Sequence, residues 1–322
     1  METGVFFTTY RADMALRRRP LEKVRLALFA LAAVVFPFVA TPYWLNLANQ
    51  VSIATVGALG LNLLVGYTGQ ISLGQGAFMA IGAYSAGILT ARFGVPFWLG
   101  IPLASLVTAA AGLLFGLPSL RLKGLYLAIA TLAAQQIVEW LITHWTALTG
   151  GTEALVVPAP RLFDVRLNTD FNMYWILLAA AAATALVIAN LMRSRVGRAF
   201  VAIRDQDVAA AAIGVNVFGY KLLAFATSSF IVGMAGALLA YYRSIVTWER
   251  FTIEVSISYL AMISNVGRAL QGTAPEIAAL LPYAQQGAFG LVIILFLILE
   301  PAGLARLWRN VKDYFHVWPF AY

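Results

Sequence analysis

Apolar runs of about 20 residues, long enough to cross a membrane as helices, recur along this chain and constrain its fold more than any other feature. Hydrophobic residues make up 61% of the chain and charged residues only 11%, whereas a soluble domain has about 45–50% and about 25%. Strands of a membrane barrel would instead give weakly alternating segments about half as long. We therefore predict an all-α, polytopic helical membrane protein.

The predicted topology has about eight transmembrane helices, at residues 26–40, 45–65, 66–92, 97–117, 125–145, 171–192, 218–242 and 278–299. Most of the 22 Lys and Arg residues fall on segments that this topology places on one side of the membrane. By the positive-inside rule that side is the cytoplasm, and both termini lie there. The predicted organisation is a basic cytoplasmic leader at 1–25, a single transmembrane domain at 26–302 and a cytoplasmic tail at 303–322.

Three function classes are disfavoured by the residue content. The chain has no cysteine and two histidines, so we expect no disulfide and no metal site. The net charge of +8 follows from topology, because basic residues flank the apolar runs instead of forming a patch for nucleic acid. No nucleophile, base and orienting group fall on one predicted helix face, so we expect no catalytic residues and no enzyme activity.

Residues 66–87 form an apolar stretch that is unusually rich in glycine, serine and glutamine. Ser72, Gly76 and Ala80 are four residues apart, so a helix here would have a face with almost no side-chain bulk. Such faces mark close helix crossings in lipid, and the same spacing of small residues returns within 229–237. Two interpretations are open: a tightly packed helix without substrate contact, or a helix that lines a substrate pathway.

A second set of polar residues lies on the span at 125–145. Thr131, Gln135 and Glu139 are four residues apart and share one helix face. Glu139 is the only acidic residue well inside a predicted span, and an ionisable group in a membrane is a candidate functional residue. It also lies near the outer end of the span, where its carboxylate could simply reach interfacial water.

The basic segment, residues 193–217, is the most informative polar part of the chain. Its four arginines place it in the cytoplasm. Apolar positions that include Phe200, Ile203 and Val208 are compatible with a short amphipathic helix or two half-helices. Such an element can lie on the membrane surface or dock into a groove on a cytoplasmic partner, and composition alone leaves both possibilities open.

Several motifs together connect the chain with a known family. They are GLNLLVGYTGQISLGQGAF at 60–78, LRLKGLYLAIATL at 120–132, TGGT at 149–152, GRAFVAIR at 197–204 and IGVN at 213–216. With these motifs the chain resembles the membrane-spanning subunits of bacterial ABC importers for branched-chain amino acids, specifically the M-type of two paired permeases. The resemblance covers nearly the whole chain.

The resemblance implies a permease of the bacterial inner membrane, multi-pass, without chemistry of its own. Its partners would be a second permease subunit in a heterodimer, two cytoplasmic ATPase subunits, a periplasmic substrate-binding protein and the lipid bilayer. No cofactor is implied, because ATP would be bound by the partner subunits. The substrate would be a branched-chain amino acid or a related small amide or carboxylate. The alternative is an ATP-independent secondary transporter or channel for small polar solutes, for which Glu139 is the sole candidate coupling site.

Two sets of residues follow from this interpretation. The predicted substrate pathway comprises Ser52, Thr55, Asn62, Gln70, Ser72, Gln75, Gly76, Thr131, Gln135 and Glu139. The predicted ATPase-coupling residues, within the basic segment, are Gly197, Arg198, Phe200, Ile203, Arg204, Asp205, Ala211 and Gly214.

The chain departs from the family pattern in two places. After Ile263 family members continue through a glycine-rich turn and another helix, so the family pattern has about two more crossings than this chain. The glycine-rich element that would face residues 66–87 is therefore missing, and we expect an unfilled small-residue groove facing 251–264. Where the family has an acid followed by a base after Thr131, this chain has Gln136 and Glu139, so a role for that charge pair cannot be transferred.

Overall fold

The structure is a computed structural model that describes residues 20–119, 124–162, 165–166 and 169–264. Five helices within these residues are long and apolar enough to cross a membrane: Pro42–Thr68, Phe97–Pro118, Tyr126–His144, Asp170–Arg193 and Val217–Arg243. The strands are only two residues long. The expectation of an all-α, multi-pass membrane protein is confirmed.

The helices, numbered in chain order, are α1 (Pro20–Val39), α2 (Pro42–Thr68), α3 (Gln75–Phe93), α4 (Phe97–Ser119), α5 (Leu125–His144), α6 (Thr146–Thr149), α7 (Asp170–Arg193), α8 (Arg195–Asp205), α9 (Asp207–Ala212), α10 (Val217–Arg243) and α11 (Ile253–Ser264). A 3₁₀ helix spans Trp248–Phe251, and the strands are β1 (Leu155–Val156), β2 (Arg161–Leu162), β3 (Val165–Arg166) and β4 (Ile245–Val246). Seven of the eight predicted spans correspond to α1–α5, α7 and α10. The eighth span at 278–299, the tail at 303–322 and residues 1–19 of the leader lie outside the described residues.

Helix α10 is the centre of the bundle and packs against α2, α3 and α4. Its glycines explain the close approach: a Cβ atom on Gly82 of α3 would overlap the backbone of Gly233, and one on Gly236 would overlap the carbonyl of Met79. Ser228 Oγ donates a hydrogen bond of 2.7 Å to the carbonyl of Gly60 on α2. Helix association in lipid depends on close packing and on interhelical hydrogen bonds. The two small-residue stretches, one in α3 and one in α10, therefore pack directly against each other.

The connection before α7 and the connection after α10 meet at one end of the bundle. Strand β1, in the connection before α7, pairs antiparallel with β4, in the connection after α10. At the same end, Asn49 Nδ2 donates to the carbonyl of Asp170 and the hydroxyl of Tyr242 donates to its carboxylate, each at 3.0 Å. These bonds join α2, α7 and α10 at the end predicted to be extracytoplasmic. The basic segment lies at the opposite end of α2.

Candidate functional site

The glycine-rich stretch contains a break between two helices. Helix α2 continues through Thr68, and Gly69 ends it in the left-handed conformation, with φ at 68°. Residues 69–74, which we call the connector, are not helical, and α3 begins only at Gln75. The prediction of a helix from Gly66 onward was therefore wrong at its start. Glycine adopts a positive φ without the penalty of a side chain, so Gly69 can end the helix at this point.

Side chains from two other helices bond the first backbone N–H groups of α3. The N–H of Gly76 donates to Ser256 Oγ at 2.8 Å, and the N–H of Ala77 donates to Gln135 Oε1 at 2.5 Å. Gln135 Nε2 in turn donates to the carbonyl of Phe251 at 2.6 Å. Gln135 and Ser256 are 1% and 0% exposed. One amide therefore links the start of α3, helix α5 and the segment that precedes α11.

This start of α3 lies deep in the bundle. Gln75 Nε2 donates to the carbonyl of Gly57 at 2.9 Å, and Gly57 lies about three turns, or about 16 Å, before the end of α2. The ring of Tyr259 on α11 lies directly against Gly57. The connector therefore runs back into the bundle before α3 begins.

Thr131 fastens the connector to α5. Its Oγ1 accepts from the N–H of Leu73 and donates to the carbonyl of Ala128, both at 2.9 Å. We call Gln75, Gly76, Thr131, Gln135 and Ser256 the buried cluster; these residues are all at most 2% exposed where a side chain is present. Non-helical backbone at membrane depth is tolerated only where protein or a water-filled cavity surrounds it. Gln70, Ser72 and Gly74 of the connector are buried, whereas Gly69 and Ile71 are exposed.

The arrangement has a direct consequence for transport. A helix that begins inside a membrane presents the positive end of its dipole and its first N–H groups to the interior, a feature that transporters use to bind anionic groups. In this structure side chains already occupy the N–H groups of Gly76 and Ala77. These two N–H groups therefore have no free donor for a ligand in the described conformation.

Four of the ten predicted pathway residues, namely Gln75, Gly76, Thr131 and Gln135, meet in the buried cluster. Two more belong to the connector. Ser72 Oγ accepts from the N–H of Gly74 at 3.3 Å, and Gln70 Nε2 donates to Thr68 Oγ1 at 2.9 Å.

The other four predicted pathway residues lie elsewhere. Ser52 and Thr55 donate to carbonyls one turn earlier on α2, at 2.9 and 2.7 Å, and Thr55 is exposed. Asn62 and Glu139 are half-buried, and no hydrogen bond of the described residues joins either side chain to the cluster. Four-residue spacing thus identified polar side chains on α2 and α5, but these four side chains do not meet at the buried cluster.

Ser256 and the Phe251 carbonyl were missed by the sequence analysis. The sequence analysis considered the segment that contains them only as the part of the chain that faces the expected groove. The available signal in the sequence was a serine within a short apolar run. A backbone carbonyl leaves no signal in the residue types at all.

The expectation of an unfilled groove facing residues 251–264 was wrong for the part that is described. The small-residue stretch does face this segment, but a Cβ atom on Gly76 would lie only 2.7 Å from the carbonyl of Phe251 and 2.9 Å from that of Thr252. Farther along α3, α10 fills the glycine face at Gly82. Glycine allows backbones to approach until no groove is left.

Of the two arrangements compatible with the sequence, a short amphipathic helix or two half-helices, the basic segment adopts the second. Ser194 Oγ caps α8 by accepting from the N–H of Val196 at 3.2 Å. At Gln206 the backbone is extended, with φ at −160°, which separates α8 from α9. As a result Phe200 and Ile203 are buried against the bundle, whereas Val208 on α9 is 69% exposed. These apolar residues therefore divide between a helix that packs on the bundle and a helix that exposes Val208.

The predicted coupling residues divide in the same way. Gly197, Phe200 and Ile203 are buried, whereas Arg198, Arg204, Asp205, Ala211 and Gly214 are exposed. Gly197 lies against the backbone of Met192, where a Cβ atom would overlap it. The buried members hold α8 on the bundle, and the exposed members, together with Val208 and Ile213, form the surface that a partner could contact.

Arg204 connects this surface to the end of α2. Its Nη1 donates to the carbonyl of Gly66 at 3.0 Å, and its Nε donates to Asp205 at 3.0 Å. The Arg204 stem also lies against Gly69, the residue that begins the connector. A displacement of α8 would therefore act directly on the connector, whose other end leads into the buried cluster.

No metal site is formed within the residues that the structure describes: no three His, Asp or Glu side chains come together there. The site is instead a set of amides, hydroxyls and backbone N–H groups. Such groups bind small polar solutes by hydrogen bonds.

Comparisons with known proteins agree on one family. The model of the branched-chain amino acid transport system, permease component, matches residues 43–297. The high-affinity branched-chain amino acid transport system permease protein LivM of Salmonella typhimurium is 32% identical, over 89% of this chain and 76% of that protein, and LivM of Escherichia coli is 31% identical over the same shares. The probable permease protein LivH of Methanocaldococcus jannaschii is 26% identical, over 79% of this chain and 89% of that protein. No solved structure matches the chain.

The alignment with the Salmonella relative also bears on length. It extends over 322 residues but includes only 89% of this chain. Part of the relative within the aligned region therefore has no counterpart here.

Proposed function

Because this chain belongs to the family of permease components of branched-chain amino acid transport systems, we propose that it is the membrane-spanning subunit of an ABC importer for branched-chain amino acids or related small amides and carboxylates. The observation that carries the proposal is the extent of the family match, which includes the buried cluster and the basic segment. The chain is a multi-pass membrane protein, and we assign it to a bacterial inner membrane.

The assembly that we propose contains a second permease subunit, two cytoplasmic ATPases and a periplasmic substrate-binding protein. ATP would be bound by the ATPases, and this chain would hold no cofactor and catalyse no reaction. The sequence supports this division of labour, because it contains no Gly-x4-Gly-Lys-Ser/Thr phosphate loop.

The buried cluster is the proposed substrate gate. Opening would free the N–H groups of Gly76 and Ala77 from Ser256 and Gln135, and the start of α3 would then offer donors to a passing carboxylate. The support is geometric: a single side chain, Gln135, bonds to both the start of α3 and the carbonyl of Phe251. A small separation of α5 from these two segments would break both bonds together.

The exposed part of the basic segment is the proposed docking surface for an ATPase. Val208 and Ile213, 69% and 78% exposed, lie among charged side chains. An apolar centre with a polar rim is typical of protein interfaces. Through Arg204, which bonds to Gly66, movement of the docked ATPase would pull on the connector and hence on the cluster.

The docking surface is tested by Val208→Glu together with Ile213→Glu. Both side chains are exposed, so the permease should fold, but the ATPases should no longer co-purify and ATP-dependent uptake should be lost. Val156→Glu is the matched control, because Val156 is 66% exposed at the opposite end of the bundle. Intact co-purification and uptake in the double variant, or in a deletion of residues 200–212, would contradict the coupling assignment.

The transport function is tested by uptake of labelled leucine into proteoliposomes that contain the whole complex and the binding protein. We expect uptake only with ATP, and competition by isoleucine and valine but not by urea or aromatic amino acids. Uptake that persists without ATP and the ATPases would instead support the ATP-independent transporter or channel.

A further inference from the structure

A polar cleft lies at the end of the bundle that carries the basic segment. It has a volume of about 230 Å³ and is lined by residues 68–70 at the end of α2, Gly124 and Leu127 at the start of α5, residues 203–207 between α8 and α9, and Lys221 of α10. A water molecule in the liquid occupies about 30 Å³. The cleft can therefore hold several waters or one small solute, and it is distinct from the buried cluster deeper in the bundle.

Gln70 supplies an unused hydrogen-bond acceptor at this cleft. Its side chain is 4% exposed, and its Nε2 is held by Thr68 Oγ1 at 2.9 Å. Its Oε1 is buried and accepts no hydrogen bond from the described residues. Because an unsatisfied buried acceptor is unfavourable, a turn of the Gln70 amide that brings this oxygen to a ligand's donor in the cleft would relieve that cost.

Among the described residues that line the cleft, the charges balance. Arg204 lies 3.0 Å from Asp205, and Lys221 lies 3.3 Å from Asp207. A simple anion would meet both carboxylates and a simple cation would meet both basic groups. A molecule with one positive and one negative end can instead face Lys221 and Arg204 with the anionic end and donate to Gln70 with the other.

We propose that this cleft binds a small zwitterion that has a primary ammonium and an anionic group. This chemistry has two sources on the cytoplasmic side: a free α-amino acid or the headgroup of phosphatidylethanolamine. The amino acid source rests on the proposed function, since the occupant would then be the transported molecule after release. In either case the occupant lies against Arg204, which contacts Gly66 and Gly69, and against Gln70, the next residue of the connector. It would hold the contact between the basic segment and the connector in one position.

The first test measures equilibrium binding of labelled L-leucine to the permease–ATPase complex without the binding protein, in nanodiscs of phosphatidylcholine and phosphatidylglycerol. We expect saturable binding that Gln70→Leu weakens about tenfold or more, since a hydrogen bond to a charged group is lost. Isoamylamine and 4-methylpentanoate, which each have one of the two charges, should compete poorly. Gln136→Leu, which changes an exposed amide on α5, is the matched control and should bind as the wild type does.

The second test distinguishes the lipid. Phosphatidylcholine lacks an N–H donor, so only nanodiscs with phosphatidylethanolamine should supply a competing headgroup. If the lipid is the occupant, phosphatidylethanolamine will co-purify with the wild-type complex, displace leucine and be lost in Gln70→Leu. Lys221→Gln provides an independent readout in case Gln70→Leu does not fold, and it should weaken the same ligand.

Two results would overturn the proposal: neither ligand bound by the wild type, or equal binding by the wild type, Gln70→Leu and Lys221→Gln. ATP-dependent leucine uptake by the wild-type complex is measured in parallel. If uptake is normal and the cleft variants bind unchanged, only the cleft assignment fails. If the wild type shows no uptake, the proposed function fails by itself.

Discussion

Gln135 offers the sharpest test of the buried cluster, because one side chain makes two bonds to backbone groups of other segments. In Gln135→Leu the N–H of Ala77 loses its acceptor and the carbonyl of Phe251 loses its donor, while side-chain volume is nearly kept. Interhelical hydrogen bonds in a membrane protein contribute about 0.6 kcal/mol on average and up to about 1.7 kcal/mol. Two such bonds, both fully buried, should contribute about 1–3 kcal/mol to the free energy of unfolding.

The assay is an SDS titration of the purified chain in micelles, followed by far-UV circular dichroism. Gln136→Leu is the control, since it makes the same chemical change on the neighbouring residue, whose side chain is exposed. It should leave the free energy of unfolding unchanged or raise it slightly, because leucine suits a lipid-facing surface better than an amide does. Ser256→Ala removes the acceptor of the Gly76 N–H and a longer bond of 3.4 Å that Ser256 Oγ donates to Gln135 Oε1, and it should fall between the two variants.

The reasoning is refuted if Gln135→Leu and Gln136→Leu are equally stable. Buried backbone groups at the start of α3 would then not depend on the Gln135 amide. Loss of uptake without loss of stability would instead leave the packing argument wrong and the gate assignment intact.

Three further predictions concern other contacts. Gly82→Ala should destabilise the chain by about 1–3 kcal/mol or more, because the added methyl overlaps the backbone of Gly233; thermal unfolding measures this. Tyr241→Phe should reduce stability by about 0.5–1.5 kcal/mol, because the hydroxyl loses its 2.7 Å bond to Thr90. Glu139→Gln should leave the leucine uptake rate within about twofold of the wild type, since a group outside the buried cluster is not expected to contribute differential binding.

Each of these changes has a control in the chain. Ser85→Ala alters a half-buried position of the same helix as Gly82 and should be tolerated. Tyr43→Phe removes a hydroxyl from a side chain that is 72% exposed and should be neutral. A tenfold loss of uptake in Glu139→Gln would indicate that this carboxylate belongs to the substrate pathway. It would support the alternative of an ATP-independent secondary transporter with Glu139 as the coupling site.

The periodicity of the sequence identified much of the candidate site. Thr131 and Gln135 were found because polar residues four apart on an apolar helix share a face, and both lie in the buried cluster. The same rule selected Glu139, which lies apart from it. A helix face covers a wide arc and several turns, so spacing predicts which side of a helix is polar without predicting the depth at which a partner meets it.

Two features could not be predicted because glycine has more than one use in a membrane protein. Gly69 ends a helix in the left-handed conformation, whereas Gly82 remains helical and allows α10 to approach. Both occur in apolar surroundings within the same stretch, and nothing local distinguishes them. Similarly, the extended backbone at Gln206 divides the basic segment into two helices, an arrangement that the sequence left open beside a single amphipathic helix.

The sequence by itself determined that the chain lies in a membrane and that its fold is helical. Apolar runs of membrane length require helices, and the basic residues between them assign the sides of the membrane. Only the tertiary structure decided where α3 begins and which groups cap it. The capping bonds join residues 58 and 180 positions apart, so no local pattern contains them. They form because a helix start buried in the bundle has N–H donors that lipid cannot satisfy. The nearest side-chain amide and hydroxyl accept hydrogen bonds from these donors.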